Sequence, residues 1–67
     1  MKPGDLVKIW NSKYLAYRTI FYVATVLDEP YFVEPDDGDR MGDYYCPVFG
    51  PKGRGDEHVE YIEVISD

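Results

Sequence analysis

The sequence contains one cysteine, Cys46, so no disulfide forms within the chain. It also contains one histidine, His58, and one Cys with one His falls short of a structural zinc set. Small domains often depend on such staples. At 67 residues this chain reads as one small domain with a thin stability margin, resting on its apolar core. A lone thiol suits a reducing compartment, so an intracellular site is the expectation. Long hydrophobic runs are missing too. The longest apolar stretch, "IFYVATVL", is far too short to span a bilayer. "MKPGDLVKIW" meets Pro3 and Asp5 where a signal peptide needs apolar residues, so a soluble protein is expected.

Cations are scarce and scattered. Thirteen Asp/Glu face seven Lys/Arg, for a formal net charge of −6. Binding to a phosphate backbone needs clustered cations, and Lys52 with Arg54 are ringed by Asp56, Glu57 and Glu60. Nucleic acid is therefore not an expected partner. Helix signals are nearly absent as well. Residues 11 to 29 lack Gly and Pro, but "YRTIFYVATVLD" is β-branched and aromatic, which favours a pleated surface.

What the chain does hold is a series of short strand patterns. Pro3-Gly4-Asp5 supplies a turn and Leu6 to Trp10 a first strand, with Val7 and Ile9 inward and Trp10 partly exposed. Strand two runs from about Ile20 to Leu27, apolar on both faces, which predicts a central or covered strand. Residues 28 to 43 form an acidic loop with a turn at "PDDGD", and "YFV" within it extends the sheet. "DYYCPVFG" is strand three, with Cys46 and Val48 inward and Pro47 placed where its nitrogen faces outward or at a bulge. "PKGRGD" is read as a hairpin turn, "EHVEY" as strand four, and "IEVIS" as strand five after a tight step at Tyr61. Five short strands without a helix point to an all-β chain forming a small, closed or nearly closed barrel.

"KPGDLVKI" at the start, "VFGPKG" in the middle and "HVEYIEVIS" at the end together resemble the small SH3-like barrel proteins. The nearest likeness is to short SH3-like proteins of tailed bacteriophages, of the cyanophage type. The resemblance covers about half the chain and leaves residues 28 to 43 unaligned. It implies a five-stranded barrel with a 3₁₀ turn near Tyr61, and it brings no catalytic residue. It also implies binding of peptides on aromatic grooves, or of methylated lysine in aromatic cages. The location implied is the host cytoplasm, or the virion.

His58 in "DEHVEY" has carboxylate neighbours but no paired nucleophile, so it reads as a surface histidine and no enzyme is expected. Glu34, Asp36, Asp37, Asp39 and Asp43 miss the alternate-position pattern of a calcium loop, so neither metal nor cofactor is expected. Cys46 sits among apolar residues and reads as inert packing. The Arg54-Gly55-Asp56 triplet reads as turn chemistry rather than an adhesion signal. Seven tyrosines and Trp10 exceed what so small a core can hold, so several must reach the surface. Trp10, Tyr14, Tyr17, Tyr31, Tyr44 and Tyr45, with Asp36, Asp37 and Asp39, are the expected contact residues for a basic or proline-containing protein. Three roles follow: a phage protein engaging a host factor, a self-associating head-decoration or tail-joining subunit, or an acidic decoy imitating nucleic acid.

Overall fold

The structure, a computed structural model, describes residues 1–36, 38 and 41–65. Its first feature is a turn at residues 2–5. The Asp5 N–H donates to the Lys2 carbonyl at 3.2 Å, and Gly4 takes a φ of 91°. Only glycine adopts that φ without strain, and Pro3 pre-sets the residue before it. The buried Asp5 carboxylate accepts from the Lys2 N–H, which satisfies it.

β1 (Leu6–Trp10) leaves this turn with Val7 and Ile9 buried and Lys8 and Trp10 half-buried on the other face. A loop with one 3₁₀ turn at Leu15–Tyr17 leads to β2 (Phe21–Val26), antiparallel to β1. β3 (Tyr31–Val33), β4 (Asp43–Gly50) and β5 (Gly53–His58) follow. A second 3₁₀ turn at Val59–Tyr61 delivers β6 (Ile62–Val64) to the far side of β1. Among the described residues there is no α-helix.

β4 organises the sheet. One of its edges pairs with β5 over Tyr45–Gly50, and the other takes β2 at Val48 and Phe49 and β3 at residues 43–45. β2 and β3 are thus two arms of one bent strand, and the sheet is a curled half-barrel of five antiparallel strands. Pro47 sits at the bend. Its carbonyl accepts from Leu27 at 2.9 Å, so its nitrogen faces the same edge, between the end of β2 and the start of β3. A residue without an N–H is tolerated where the ladder is already interrupted.

The core is small and aliphatic: Val7, Ile9, Ala24, Val26, Cys46 and Val48 are buried, and Val59 and Ile62 pack against them. These small side chains fit the narrow interior of a small barrel. Each buried Val or Ile contributes roughly 1.5–3 kcal/mol, a large share of the stability of so small a chain.

The all-β fold class, the inward residues on the first and third predicted strands, the "YFV" extension and the 3₁₀ turn at Tyr61 are all present. Three details differ. The predicted turn "PKGRGD" is a turn only at Pro51 and Lys52, and Arg54-Gly55-Asp56 lies within β5. Gly53, with a φ of 106°, completes the reversal by itself, so the triplet is left to pair with β4. "EHVEY" is therefore the end of a strand and a 3₁₀ turn, not a strand of its own. β2 itself is central, between β1 and β4, as its apolar faces predict, and Phe21 and Val23 on its outer face remain 43% and 46% exposed. Finally, among the described residues β5 pairs with β4 alone and β6 with β1 alone, so the sheet is a half-barrel and not a closed one.

Candidate functional site

Strand alternation separates neighbouring tyrosines. Tyr44 shares the concave face with Cys46 and Val48, while Tyr45 lies on the opposite face. Register then builds a ladder around Tyr45. Its partners across the sheet are Tyr31 on β3 and His58 on β5. The Tyr31 and Tyr45 rings stack at 6.4 Å, the Tyr45 and His58 rings meet edge-on at 5.3 Å, and Tyr61 continues the row at 6.0 Å from His58. These separations and tilts suit aromatic pairs.

His58 holds the ladder in place from both nitrogens. Nδ1 accepts from the Glu60 N–H at 3.1 Å, capping the 3₁₀ turn, and Nε2 lies 3.0 Å from the Asp43 carboxylate. With Nδ1 accepting, Nε2 carries the N–H and donates it in a hydrogen bond to the Asp43 carboxylate. The carboxylate that matters to His58 comes from β4, not from its sequence neighbours Asp56 and Glu57. Asp56 serves Tyr31 instead, whose hydroxyl is pushed up by desolvation and then by its hydrogen bond to Asp56. A shallow cavity of about 200 Å³ opens beside the ladder, lined by Val33, Pro35, Met41, Gly42, Asp43 and Tyr45.

Tyr14 and Tyr17 form an edge-on pair at 6.3 Å on the first 3₁₀ turn. Lys13 joins them to the ladder: its ammonium is 5.3 Å from the Tyr14 ring and 3.6 Å from Glu60. The Lys13 ammonium is drawn upward by Tyr14, by Glu60 and, more weakly, by Tyr61, which puts all three around one cation.

The remaining expected contact residues stand apart. Trp10 packs on Phe21 at 4.8 Å, with Lys8 over Phe21 at 4.7 Å and Arg18 5.7 Å from the indole. Its Nε1–H donates to Glu63 at 3.1 Å. Arg18 also donates to the carbonyls of Ser12 and Glu60, pinning the 11–20 loop to the second 3₁₀ turn. The Trp10 cluster is thus a tie between loop and last strand. Tyr44 pairs with Phe32 at 5.1 Å on the concave side, away from the ladder. Asp36 is exposed in a bend, and Asp37 and Asp39 lie outside the described residues. The carboxylates beside the ladder are Asp43, Asp56 and Glu60. Sequence reasoning passed over His58 and Tyr61: strand register sets His58 beside Tyr45, and the second 3₁₀ turn brings Tyr61 to His58.

A second concavity, of about 460 Å³, lies on the inner face of β5. Tyr22, Val48, Gly53, Gly55 and Glu57 line it, with Lys52 and Arg54. The Tyr22 hydroxyl donates to Glu57 at 2.7 Å, and the Tyr22 ring rests on Gly50, where a Cβ would come within 2.9 Å. Desolvation first, then this bond, push the Tyr22 phenol from 10.0 up to about 12. The folded state therefore holds the phenol protonated while the unfolded chain ionises. The associated stability is intact below pH 10 and is lost as pH climbs towards about 12. Because the ring is 38% exposed, solvent screening reduces the effect to about 1 kcal/mol. Phenolate absorbance should show one tyrosine ionising near pH 12, and Glu57→Gln should lower that midpoint. A midpoint unmoved by the substitution would remove Glu57 as a cause.

Cys46 is buried, its thiol faces the Asp28 carbonyl at 3.6 Å, and burial pushes its pKa upward. Among the described residues no cluster of His, Cys, Asp and Glu has metal-binding geometry, and no helix is long and apolar enough to cross a membrane. No family model, no curated protein and no solved structure matches the chain.

Proposed function

We propose that this protein is a non-enzymatic binding module, akin to the SH3-like barrels, that engages a basic or proline-containing segment of another protein. The supporting observation is the continuous row Tyr31, Tyr45, His58, Tyr61, flanked by Asp43, Asp56 and Glu60. Flat rings set beside carboxylates suit proline rings and cationic side chains. Tyr14 and Tyr17 extend the same surface across Lys13. The net charge of −6 steers a basic partner inward. In this reading the module is a small phage protein acting on a host or phage protein inside the host cell.

Titration with synthetic peptides rich in Pro, Arg or Lys tests the proposal. Resonances of Tyr31, Tyr45, His58 and Tyr61 should shift. Tyr45→Ala should weaken binding about 30-fold, the effect of a hot-spot residue worth 2 kcal/mol. Trp10→Phe should leave binding nearly unchanged. Absence of binding to every such peptide would overturn the proposal.

A subunit role in a particle is the second reading. It is favoured by the uncovered outer face of Phe21, Val23 and Phe49. Light scattering decides here: a strictly monomeric chain that never enters purified particles excludes it. An acidic decoy, the third role, requires binding that fades steeply with salt, and salt-insensitive binding excludes it.

A further inference from the structure

We infer that the outer edge of β5 accepts an extended segment of a protein partner as an added strand, and that one basic side chain of that segment enters the cavity beside Tyr22 and Glu57. This rests on the binding-module reading but uses a different part of the fold.

The first observation is the edge itself. The Pro47 carbonyl is turned to Leu27, so Pro47 makes no ladder bond to β5. Its partner Asp56 is then a non-hydrogen-bonded position, and its own N–H and C=O point away from β4. Alternation gives Arg54 the same orientation. Neither backbone group has a hydrogen-bond partner among the described residues. An unpaired row of this kind is a template for another strand.

The second observation is the space behind that edge. Gly53 and Gly55 face inward, and a Cβ built on either meets nothing within 4 Å. A strand added to β5 directs alternate side chains onto this same inner face. One of them would pass over the two glycines into the cavity of about 460 Å³.

The third observation is charge. Glu57 is half-buried inside the cavity, whereas Lys52 and Arg54 are exposed at its lining. A partly buried charge is screened less than exposed ones, so Glu57 dominates the field within. Tyr22 occupies one carboxylate oxygen of Glu57 and leaves the other for a cation. Val48 and the Tyr22 ring offer an apolar wall to an aliphatic stem. A lysine or arginine side chain fits this combination.

The test uses isotope-labelled protein and three short peptides of alternating Thr and Val. They carry Lys, norleucine or Glu at the centre. The Lys peptide should shift the amides of Arg54 and Asp56 and slow their hydrogen exchange, and the Glu peptide should bind at least about tenfold more weakly. Gly55→Val should preserve thermal stability, because open space receives the side chain, and should abolish binding, because the added side chain stands in the path over β5 into the cavity. Glu57→Gln should equalise the Lys and norleucine peptides. Undiminished binding by Gly55→Val overturns the inference. So does dimerisation through β5, which would make a second copy the occupant. A response confined to Tyr45 and Tyr61 overturns it too while leaving the proposed function standing, and silence at both surfaces removes both.

Discussion

Replacing Ile9 by alanine should destabilise the protein by about 3 kcal/mol, whereas the same replacement at Ile20 should cost no more than about 0.5 kcal/mol. The chemistry removed is identical, and only burial differs. Ile9 is 2% exposed and packs among Val7, Ala24, Val26, Cys46 and Val48. Ile20 is 70% exposed, just ahead of β2. With six buried residues in the core, no neighbour can collapse far into the cavity left at Ile9. A chain of this size has roughly 3–10 kcal/mol in total, so Ile9→Ala removes a third or more of it. The melting temperature should fall on the order of 15 °C. Urea unfolding of both variants decides the matter: a lower midpoint at unchanged slope for Ile9→Ala, with Ile20→Ala near the parent. Equal losses at the two positions would show that the core is not where the structure puts it.

Gly42→Ala should be the second severe substitution, and it reaches the proposed binding surface as well as the fold. A Cβ at Gly42 meets the Phe32 ring and comes within 2.7 Å of the Val33 carbonyl oxygen. The ring has room to turn, since Phe32 is half exposed, but the carbonyl belongs to β3. Relief of the clash therefore moves β3 away from β4. The cost should be about 1–3 kcal/mol, in the range of other overpacking substitutions. Tyr31 leaves Tyr45 in the same movement, because the two are held together only by the β3–β4 register. Peptide binding at the ladder should thus weaken even under conditions where the variant is folded. Gly38→Ala is the control, since nothing lies within 4 Å of its added carbon. Two glycines in one acidic loop should then differ sharply in both stability and binding. A Gly42→Ala protein with parental stability and an intact ladder would refute the close approach.

Much of this fold is legible in the residues themselves. The alternation Val7, Ile9 against Lys8, Trp10 marks the inner face of β1 without any tertiary information. Pro3-Gly4 marks a turn because one residue fixes φ and the other accepts a positive φ. Pro47 inside an otherwise regular strand announces an interrupted ladder, and the interruption is where β2 gives way to β3. The glycines at 50, 53 and 55 were harder to read, because glycine serves two purposes. At Gly53 it allows a φ of 106° and so makes the turn. At Gly55 it lies in a strand and leaves a cavity open. Nothing local distinguishes the two, so the sequence alone reads as a single turn over both.

The aromatic ladder was only partly legible. An excess of aromatic residues over core volume told that rings reach the surface, and among the described residues no aromatic side chain is fully buried. Which rings meet was decided by pairing. Tyr44 and Tyr45 are neighbours in the chain and lie on opposite faces, while Tyr31, His58 and Tyr61 are remote in the chain and join Tyr45 in one row.

By itself, then, the sequence determined the fold class, the inward positions and the surplus of surface aromatics, because strand alternation, turn chemistry and side-chain volume are local properties. The tertiary structure alone decided that Arg54-Gly55-Asp56 is an edge strand, that Asp43 is the carboxylate on His58, and that Tyr22 and Glu57 face a common cavity. Those facts depend on the register between strands far apart in the chain. A shift of one residue in that register turns every side chain to the other face.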